Sequence, residues 1–193
     1  MVDARPPDTE INRPSSPASH RPFLFASIAG TLSSFGMNIL KAEAFSNRQA
    51  LVLDTFTFVD PARTLDLNPT EIDRLRTNLE RVLGGKSDVR ELLRNRPKPP
   101  LPSRKARIPA RVSFDSEASG TATLVQIVAE DRPGLLYDLA SAISSSGGNI
   151  EVVLIDTQAH KAIDVFYVTA GGKKLALEKQ QALGAALDAA LAL

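Results

Sequence analysis

The chain has 193 residues, 43% of them hydrophobic, with a formal net charge of +1 and no cysteine. The near-neutral charge gives no electrostatic reason to expect a nucleic-acid partner, and the missing cysteines exclude disulfides and thiolate chemistry. No segment has the pattern of a secretory signal or a membrane span, so we expect a cytoplasmic protein, and nothing in the residues calls for a cofactor.

The first part of the chain predicts a disordered leader followed by helix, two strands and a helix. Residues 1–20 are rich in Pro, Ser, Asp and Arg and show no period. A helical stripe of apolar residues begins at Pro22 and ends at Gly36, and "NILKAEAFS" and "ALVLDTFTFVD" follow as strands around a turn at 47–49. Asn68 has the features of a helix N-cap, and the expected buried stripe of that helix is Ile72, Leu75, Leu79, Val82 and Leu83.

The second part begins after a proline-rich, basic connection at 96–110. "RVSFD" (Arg111–Asp115) reads as a short strand available to close the first module, and "TATLVQIVAE" reads as a buried strand. A turn and helix come next, then the strands "NIEVVLIDT" and "KAIDVFYVT", and a last helix from about Leu177.

An internal repeat joins the two parts. "HRPFLFASIAGTLSSFGMNI" and "DRPGLLYDLASAISSSGGNI" are displaced by 111 residues and share nine identities within nineteen positions without a gap. The order strand, helix, strand, strand, helix is that of a ferredoxin-like module. We therefore predict an α+β protein with two such modules, residues 21–115 and 121–193, each an antiparallel sheet with helices on one face.

The turn in "AEDRPGLL" has a chemical interpretation. Pro133 suits the first helical turn, Gly134 allows another group to approach the backbone, and a helix N-terminus favours an anion. With the amide of Asn149 expected beside this turn, the set suits the carboxylate and amino groups of a free amino acid. The alternative is that these residues only cap the helix and close a turn.

These residues resemble the ACT domain, a small ligand-sensing ferredoxin-like module. From Arg21 onward the chain is similar to the tandem ACT tail of the bacterial protein-PII uridylyltransferase/uridylyl-removing enzyme family. The resemblance implies a regulatory tail that senses glutamine and controls two catalytic domains, one that adds uridylyl groups to the PII protein and one that removes them. It also implies ligand contacts at Asp131, Arg132, Gly134, Leu135, Asn149 and Ile150.

The chain departs from the family pattern at two places, and these departures change what we expect of the first module. No buried strand precedes Arg21, so the first module is expected to lack its first strand and the chain to be the truncated or misframed tail of a longer enzyme. The alternatives are that a second copy donates a strand or that the two modules pair their sheets to cover the gap. Phe23 stands where Gly134 stands in the second copy, so the ligand is expected at the second turn. The competing hypothesis is a ligand-free interaction module that dimerises through its sheets or docks on a catalytic partner.

Catalytic and metal sites are not expected in this chain. Asp54 and Asp164 occupy matching places in "LDTF" and "IDVF", which suggests two separate sheets with each carboxylate on a solvent or interface face. Asp156 and His160 flank a hairpin turn, and two ligands do not make a metal site.

Overall fold

The computed structural model describes residues 23–46, 52–96, 108–158 and 160–192. The predicted leader at 1–20, the turn at 47–49 and most of the connection at 96–110 lie outside these ranges. The helices are α1 (Leu24–Ser34), α2 (Thr64–Leu67), α3 (Pro69–Leu83), α4 (Val89–Arg94), α5 (Leu135–Ser145) and α6 (Leu177–Leu191). The strands are β1 (Asn38–Ser46), β2 (Val52–Val59), β3 (Arg111–Asp115), β4 (Thr123–Glu130), β5 (Asn149–Gln158) and β6 (Lys161–Thr169).

The strands form one antiparallel sheet of six, in the order β2-β1-β5-β6-β4-β3. The α+β class with ferredoxin-like modules is confirmed, but the expectation of two separate sheets is wrong. The first module (β1, β2 and α1 to α4) and the second (β3 to β6, α5 and α6) join where β1 pairs antiparallel with β5, for example Ala44 opposite Val153. Each module has a free strand edge there, and pairing the two edges satisfies their backbone groups.

The strand β3 belongs to the second module, which corrects its assignment as the closing strand of the first. It pairs with β4 from Arg111 opposite Val128 to Asp115 opposite Leu124. The connection between these strands is only residues 116–122, so a local hairpin forms at low entropic cost. β4 is thereby paired on both sides, with β3 and β6.

The strand β2 lies at the edge of the described sheet, whereas its counterpart in the second module, β6, lies inside the sheet. β6 has partners on both sides, whereas β2 pairs only with β1 among the strands that the structure describes. The helix α3 lies at this end of the molecule and contacts α1 and α2. Its predicted stripe is buried at Leu75, Leu79 and Val82, but Ile72 is 45% exposed. Leu75 and Leu79 pack with Phe56 and Phe58 of β2, whereas Ile72, in the first turn of α3, lies outside this cluster.

The main hydrophobic core spans both modules. It contains Phe25 and Ala42 from the first module and Leu139 and Phe166 from the second, all buried in one cluster. The Phe25 ring stacks on Phe56 with centroids 5.1 Å apart, which ties α1 to β2. A shared core and a shared sheet hold the two modules together.

The cap predicted at Asn68 is present. Its side chain accepts a hydrogen bond from the Thr70 backbone N–H at 3.2 Å, and Pro69 occupies the first helical position. Asp88 caps α4 in the same way, through the Arg90 N–H at 2.7 Å. The short α4 thus begins at a defined place beside α1, and its last turn leads to Arg96.

Candidate ligand site between the modules

A cleft of about 250 Å³ lies at the junction of the two modules and is called the junction cleft below. Its walls come from the turn before α5, the start of β1, the end of β5 and the start of β6. Its lining residues include Asn38, Ile39, Arg96, Asp131, Arg132, Gly134, Leu135 and Asp164. Four of the six predicted ligand residues therefore line one cleft.

The second turn is shaped by its backbone. The Asp131 N–H donates to the His160 carbonyl at 2.8 Å, which extends the β4–β6 pairing by one step, and the Leu135 N–H donates to the Arg132 carbonyl at 3.0 Å. Gly134 precedes α5 with φ 82°, a conformation that favours glycine. No side chain of the described residues caps α5, so the N–H groups of its first turn remain directed toward the cleft end of the helix.

The first turn has the same backbone conformation without the glycine. Phe23 precedes α1 with φ 72° and ψ 6°, close to φ 82° and ψ −1° at Gly134. Holding a residue with a side chain in this region costs about 1–2 kcal/mol. The turn before α1 therefore has the same backbone conformation as the turn before α5. The first turn carries a phenylalanine side chain at the position where the second turn has only the hydrogen of Gly134.

Asn149 and Ile150 do not line the junction cleft, so the expectation that Asn149 lies beside the second turn is wrong. The helix α5 runs back along the sheet, and β5 consequently starts at the opposite end from Asp131. There Asn149 pairs with Thr169, and its Nδ2 donates to Glu151 Oε1 at 2.7 Å. The Thr169 hydroxyl donates to the same oxygen at 2.7 Å.

Asn38 and Ile39 take the corresponding places in the cleft. They are the first-copy equivalents of Asn149 and Ile150 in the repeat. Because β1 runs antiparallel to β5, β1 starts where β5 ends, which is the end of the sheet that carries the second turn. The repeat already identified this pair of residues, but only the strand pairing between modules places them at the turn.

Asp164 lies under the cleft on the helix-covered face of the sheet. It is 2% exposed, and its Oδ1 has no hydrogen-bond partner within the described residues. Burial raises the pKa of this carboxyl to about 7, and the neighbouring Asp131 charge raises it further. Burial also raises the pKa of Asp131, against the Arg132 backbone hydrogen bond and the charges of His160 and Arg132, which lower it.

The predicted solvent or interface position of Asp54 and Asp164 is therefore wrong. Asp54 lies with Phe56 on the inner face of β2, and neither of its carboxylate oxygens has a partner in the part of the chain described. Burial raises the pKa of Asp54 to about 6. Residues two positions apart in a strand lie on the same face of the sheet. The apolar neighbours two positions away from each of these aspartates therefore indicate that the aspartates lie on the inner face.

The two arginines of the cleft have different surroundings. Arg132 donates through one terminal nitrogen to the Ala190 carbonyl at 2.8 Å and forms an ion pair with Asp138 at 2.7 Å, so its guanidinium holds the end of α6 against α5. Arg96 is half-buried, and this burial lowers its pKa. Nearby Leu93 approaches the Gly134 position, where an added Cβ would lie 3.7 Å from its methyl groups.

Among the described residues, no group of three or more His, Cys, Asp or Glu side chains is clustered in a way that could hold a metal ion. Over the same ranges, no helix is both long enough and apolar enough to cross a membrane.

Comparison with known proteins supports the ACT-like fold and shows which part of its relatives the chain matches. The family model of the ACR9-like, ACT-like domain matches residues 111–192, which include β3 and so agree with its place in the second module. The bifunctional uridylyltransferase/uridylyl-removing enzyme of Caulobacter vibrioides is 37% identical over 178 residues, 90% of this chain and 19% of the relative. That of Gluconobacter oxydans is 33% identical over 171 residues, 86% of this chain and 18% of the relative.

The chain belongs to this family as an ACT tail. Another relative, the enzyme of Azospirillum brasilense, is 35% identical, and the match covers 16% of its length. The chain therefore spans about a fifth or less of the length of these curated relatives. None of the solved structures matches the chain at a significant level. The junction cleft is thus a feature of the ACT region, the regulatory part of the family, and it is built from residues of both modules.

Proposed function

We propose that this ACT tail senses a free amino acid, with glutamine as the first choice, in the junction cleft, and that its occupancy regulates the catalytic domains of a PII-modifying enzyme in the cytoplasm. One observation carries the proposal. The second turn and the strand start of the first copy face each other across one cleft, so a ligand there contacts both modules at once.

The size of the cleft suits a small metabolite. Its volume of about 250 Å³ lies just below the range of roughly 300–1,000 Å³ that holds drug-sized ligands. An uncapped helix start, an amide at Asn38 and a carboxylate at Asp131 offer polar contacts of the kinds that an amino acid needs. The buried Asp164 of β6 lines the floor of the cleft.

The junction gives a physical route for regulation. Among the described residues, three register pairs connect β1 to β5, whereas eight connect β4 to β6. A short ladder resists relative movement of the modules less than a long one, so a ligand that bridges them stabilises one arrangement over others. A catalytic domain attached to this tail would then respond to the change in the populations of the two-module arrangements.

Calorimetric titration with a panel of L-amino acids tests the proposal. L-glutamine is expected to bind with a saturable heat, and Asn38→Ala is expected to weaken binding by about 1–3 kcal/mol, the range for a polar contact removed in a buried site. Asn149→Ala is the matched control, because it removes the same amide from the equivalent position outside the cleft. Failure of every amino acid to bind would contradict the proposal.

The outer edge of β2 favours a second function, pairing with another copy of the chain. Leu53 and Val59 of this strand are 58% and 40% exposed, and β2 has a partner on one side only in the described sheet. Exposed apolar strand edges promote pairing with further strands. Light scattering after gel filtration should show a dimer that Leu53→Lys converts to a monomer, and a wild-type monomer at high concentration would exclude this function.

A further inference from the structure

We infer that the junction cleft recognises both charges of a free amino acid, with Asp164 and Asp131 receiving the ligand's ammonium group and Arg96 with the first turn of α5 receiving its carboxylate. This inference rests on the proposed function and names the chemistry that selects the ligand. It predicts that the cleft discriminates zwitterions from molecules that carry only one of the two charges.

Asp164 carries the first half of the inference. Nearly all buried polar groups in proteins have a hydrogen-bond partner, yet Asp164 is 2% exposed and its Oδ1 has none among the residues described. The side chain lines the cleft, so a ligand entering the cleft can supply the missing donor. Its neighbours along β6 on the same face, Ala162 and Phe166, are apolar and cannot donate.

The charge around Asp164 indicates a cationic donor. Asp131 lines the same cleft and raises the pKa of Asp164 through its negative charge. The other charged or titratable groups near the pair are Arg132 and His160, which act on Asp131, and Arg96. Because Arg132 is already bound to Asp138 and to the Ala190 carbonyl, two carboxyl groups face the cleft with little compensation beneath it. An ammonium group compensates both and donates up to three hydrogen bonds.

Arg96 carries the second half. The residue is half-buried in the cleft wall, and none of the ion pairs found between described residues includes it. Desolvation of the guanidinium lowers its pKa, which means that burial is not yet offset by a negative partner. The N-terminus of α5 lies in the same cleft and adds a positive potential. A ligand carboxylate satisfies both the guanidinium and the helix start.

A panel of glutamine analogues tests the charge requirement on the full, unmodified chain. Calorimetry at pH 7.5 compares L-glutamine with N-acetyl-L-glutamine, which lacks the ammonium group, with L-glutamine α-amide, which lacks the carboxylate, and with glutaramate, which lacks the amino group. Each analogue is expected to bind at least tenfold more weakly than L-glutamine. Binding of N-acetyl-L-glutamine as tightly as L-glutamine would overturn the inference and leave the proposed function standing.

Matched substitutions test the residues. Asp164→Asn and Arg96→Gln should each weaken L-glutamine binding at least tenfold. The controls are Asp156→Asn and Arg94→Gln, which remove the same charges from exposed neighbouring positions and should leave the affinity unchanged. Thermal unfolding of every variant shows whether it folds, and wild-type affinity in both cleft variants would overturn the inference.

The dependence of binding on pH gives a readout that a purely structural role would not produce. With a pKa of about 7, the ionised fraction of Asp164 rises from about one tenth at pH 6 to about nine tenths at pH 8, so the dissociation constant for L-glutamine should fall about tenfold. In Asp164→Asn this fall should disappear. An unchanged pH profile in that variant would contradict the inference, whereas no binding of any amino acid would overturn the proposed function and this inference together.

Discussion

Substitution of Gly30 by alanine should destabilise the protein, although alanine is the better helix former. Gly30 lies within α1, where a Cβ would overlap Val89 Cγ1 of α4 and lie 2.8 Å from Tyr137 Cδ2 of α5. Carbon atoms in favourable contact are about 3.5–4.0 Å apart. The Val89 and Tyr137 side chains must therefore shift, and because both contact α1, this movement disturbs the helix layer where the two modules meet.

The expected magnitude follows from two opposing effects. Replacing glycine by alanine inside a helix gains up to about 1 kcal/mol, whereas overpacking a buried contact costs about 1–3 kcal/mol. Since Val89 is 5% exposed and lies on a six-residue helix held between α1 and the second turn, we place the overpacking at the upper part of that range. The net loss is about 1–2 kcal/mol, or a fall in Tm of several degrees at roughly 2–4 °C per kcal/mol.

Gly184 in α6 is the matched control. A Cβ there would meet Phe114 at 3.5 Å, an ordinary contact, so Gly184→Ala should raise the free energy of unfolding by up to about 1 kcal/mol. Thermal and urea unfolding followed by circular dichroism measure both variants. Adding Val89→Ala to Gly30→Ala should recover part of the Gly30→Ala loss because it removes the overlapping methyl. If Gly30→Ala were as stable as Gly184→Ala, the close packing of α1 against α4 and α5 would be refuted.

Two further predictions concern pH and hydrogen exchange. Burial raises the pKa of Asp164 from 3.8 to about 7, so the folded state keeps a proton that the unfolded state has released, and stability falls as pH rises through this window. Asp164→Asn should therefore be more stable than wild type at pH 8 by up to about 4 kcal/mol, with no gain below pH 4, and equal urea midpoints at pH 8 would contradict this. In hydrogen exchange, amides of Ala42–Phe45 should be protected because β1 lies between β2 and β5, whereas about half of those in β2 should exchange rapidly. Uniform protection of β2 in a monomer would mean that its outer edge is covered.

Local patterns predicted most of the elements correctly. Apolar periodicity identified α1, α3 and α5, and the capping residue at Asn68 located the start of α3, because these signals depend on residues only a few positions apart. The repeat correctly indicated that the turn before α1 and the turn before α5 share one backbone shape, even though Phe23 replaces glycine. These are properties of short segments.

The errors came from contacts between segments. Whether Arg111–Asp115 pairs with the first or the second module depends on which strand edge is free and how short the connection is, and its own sequence fits either edge. Asn149 was placed at the second turn because it follows α5 closely in sequence, although an eleven-residue helix carries the chain to the other end of the sheet. Asp164 was assigned to the outer face because it is charged, a rule that fails where a charged group is buried beside a cleft.

The two carboxylates that sequence reasoning misplaced connect stability with the proposed function. Asp164 stands under the turn with Gly134, and its counterpart Asp54 stands on the matching strand of the module whose turn carries Phe23. Both are shielded from water, and each has at least one oxygen without a partner among the described residues. Each therefore lowers the free energy of unfolding as pH rises from 3.8 toward its raised pKa, and the loss is complete above that pKa. A variant that gains stability at Asp164 but loses amino-acid binding would show that this cost is linked to ligand recognition at the second turn. The corresponding Asp54→Asn variant should gain stability without any loss of binding, because Asp54 does not line the junction cleft.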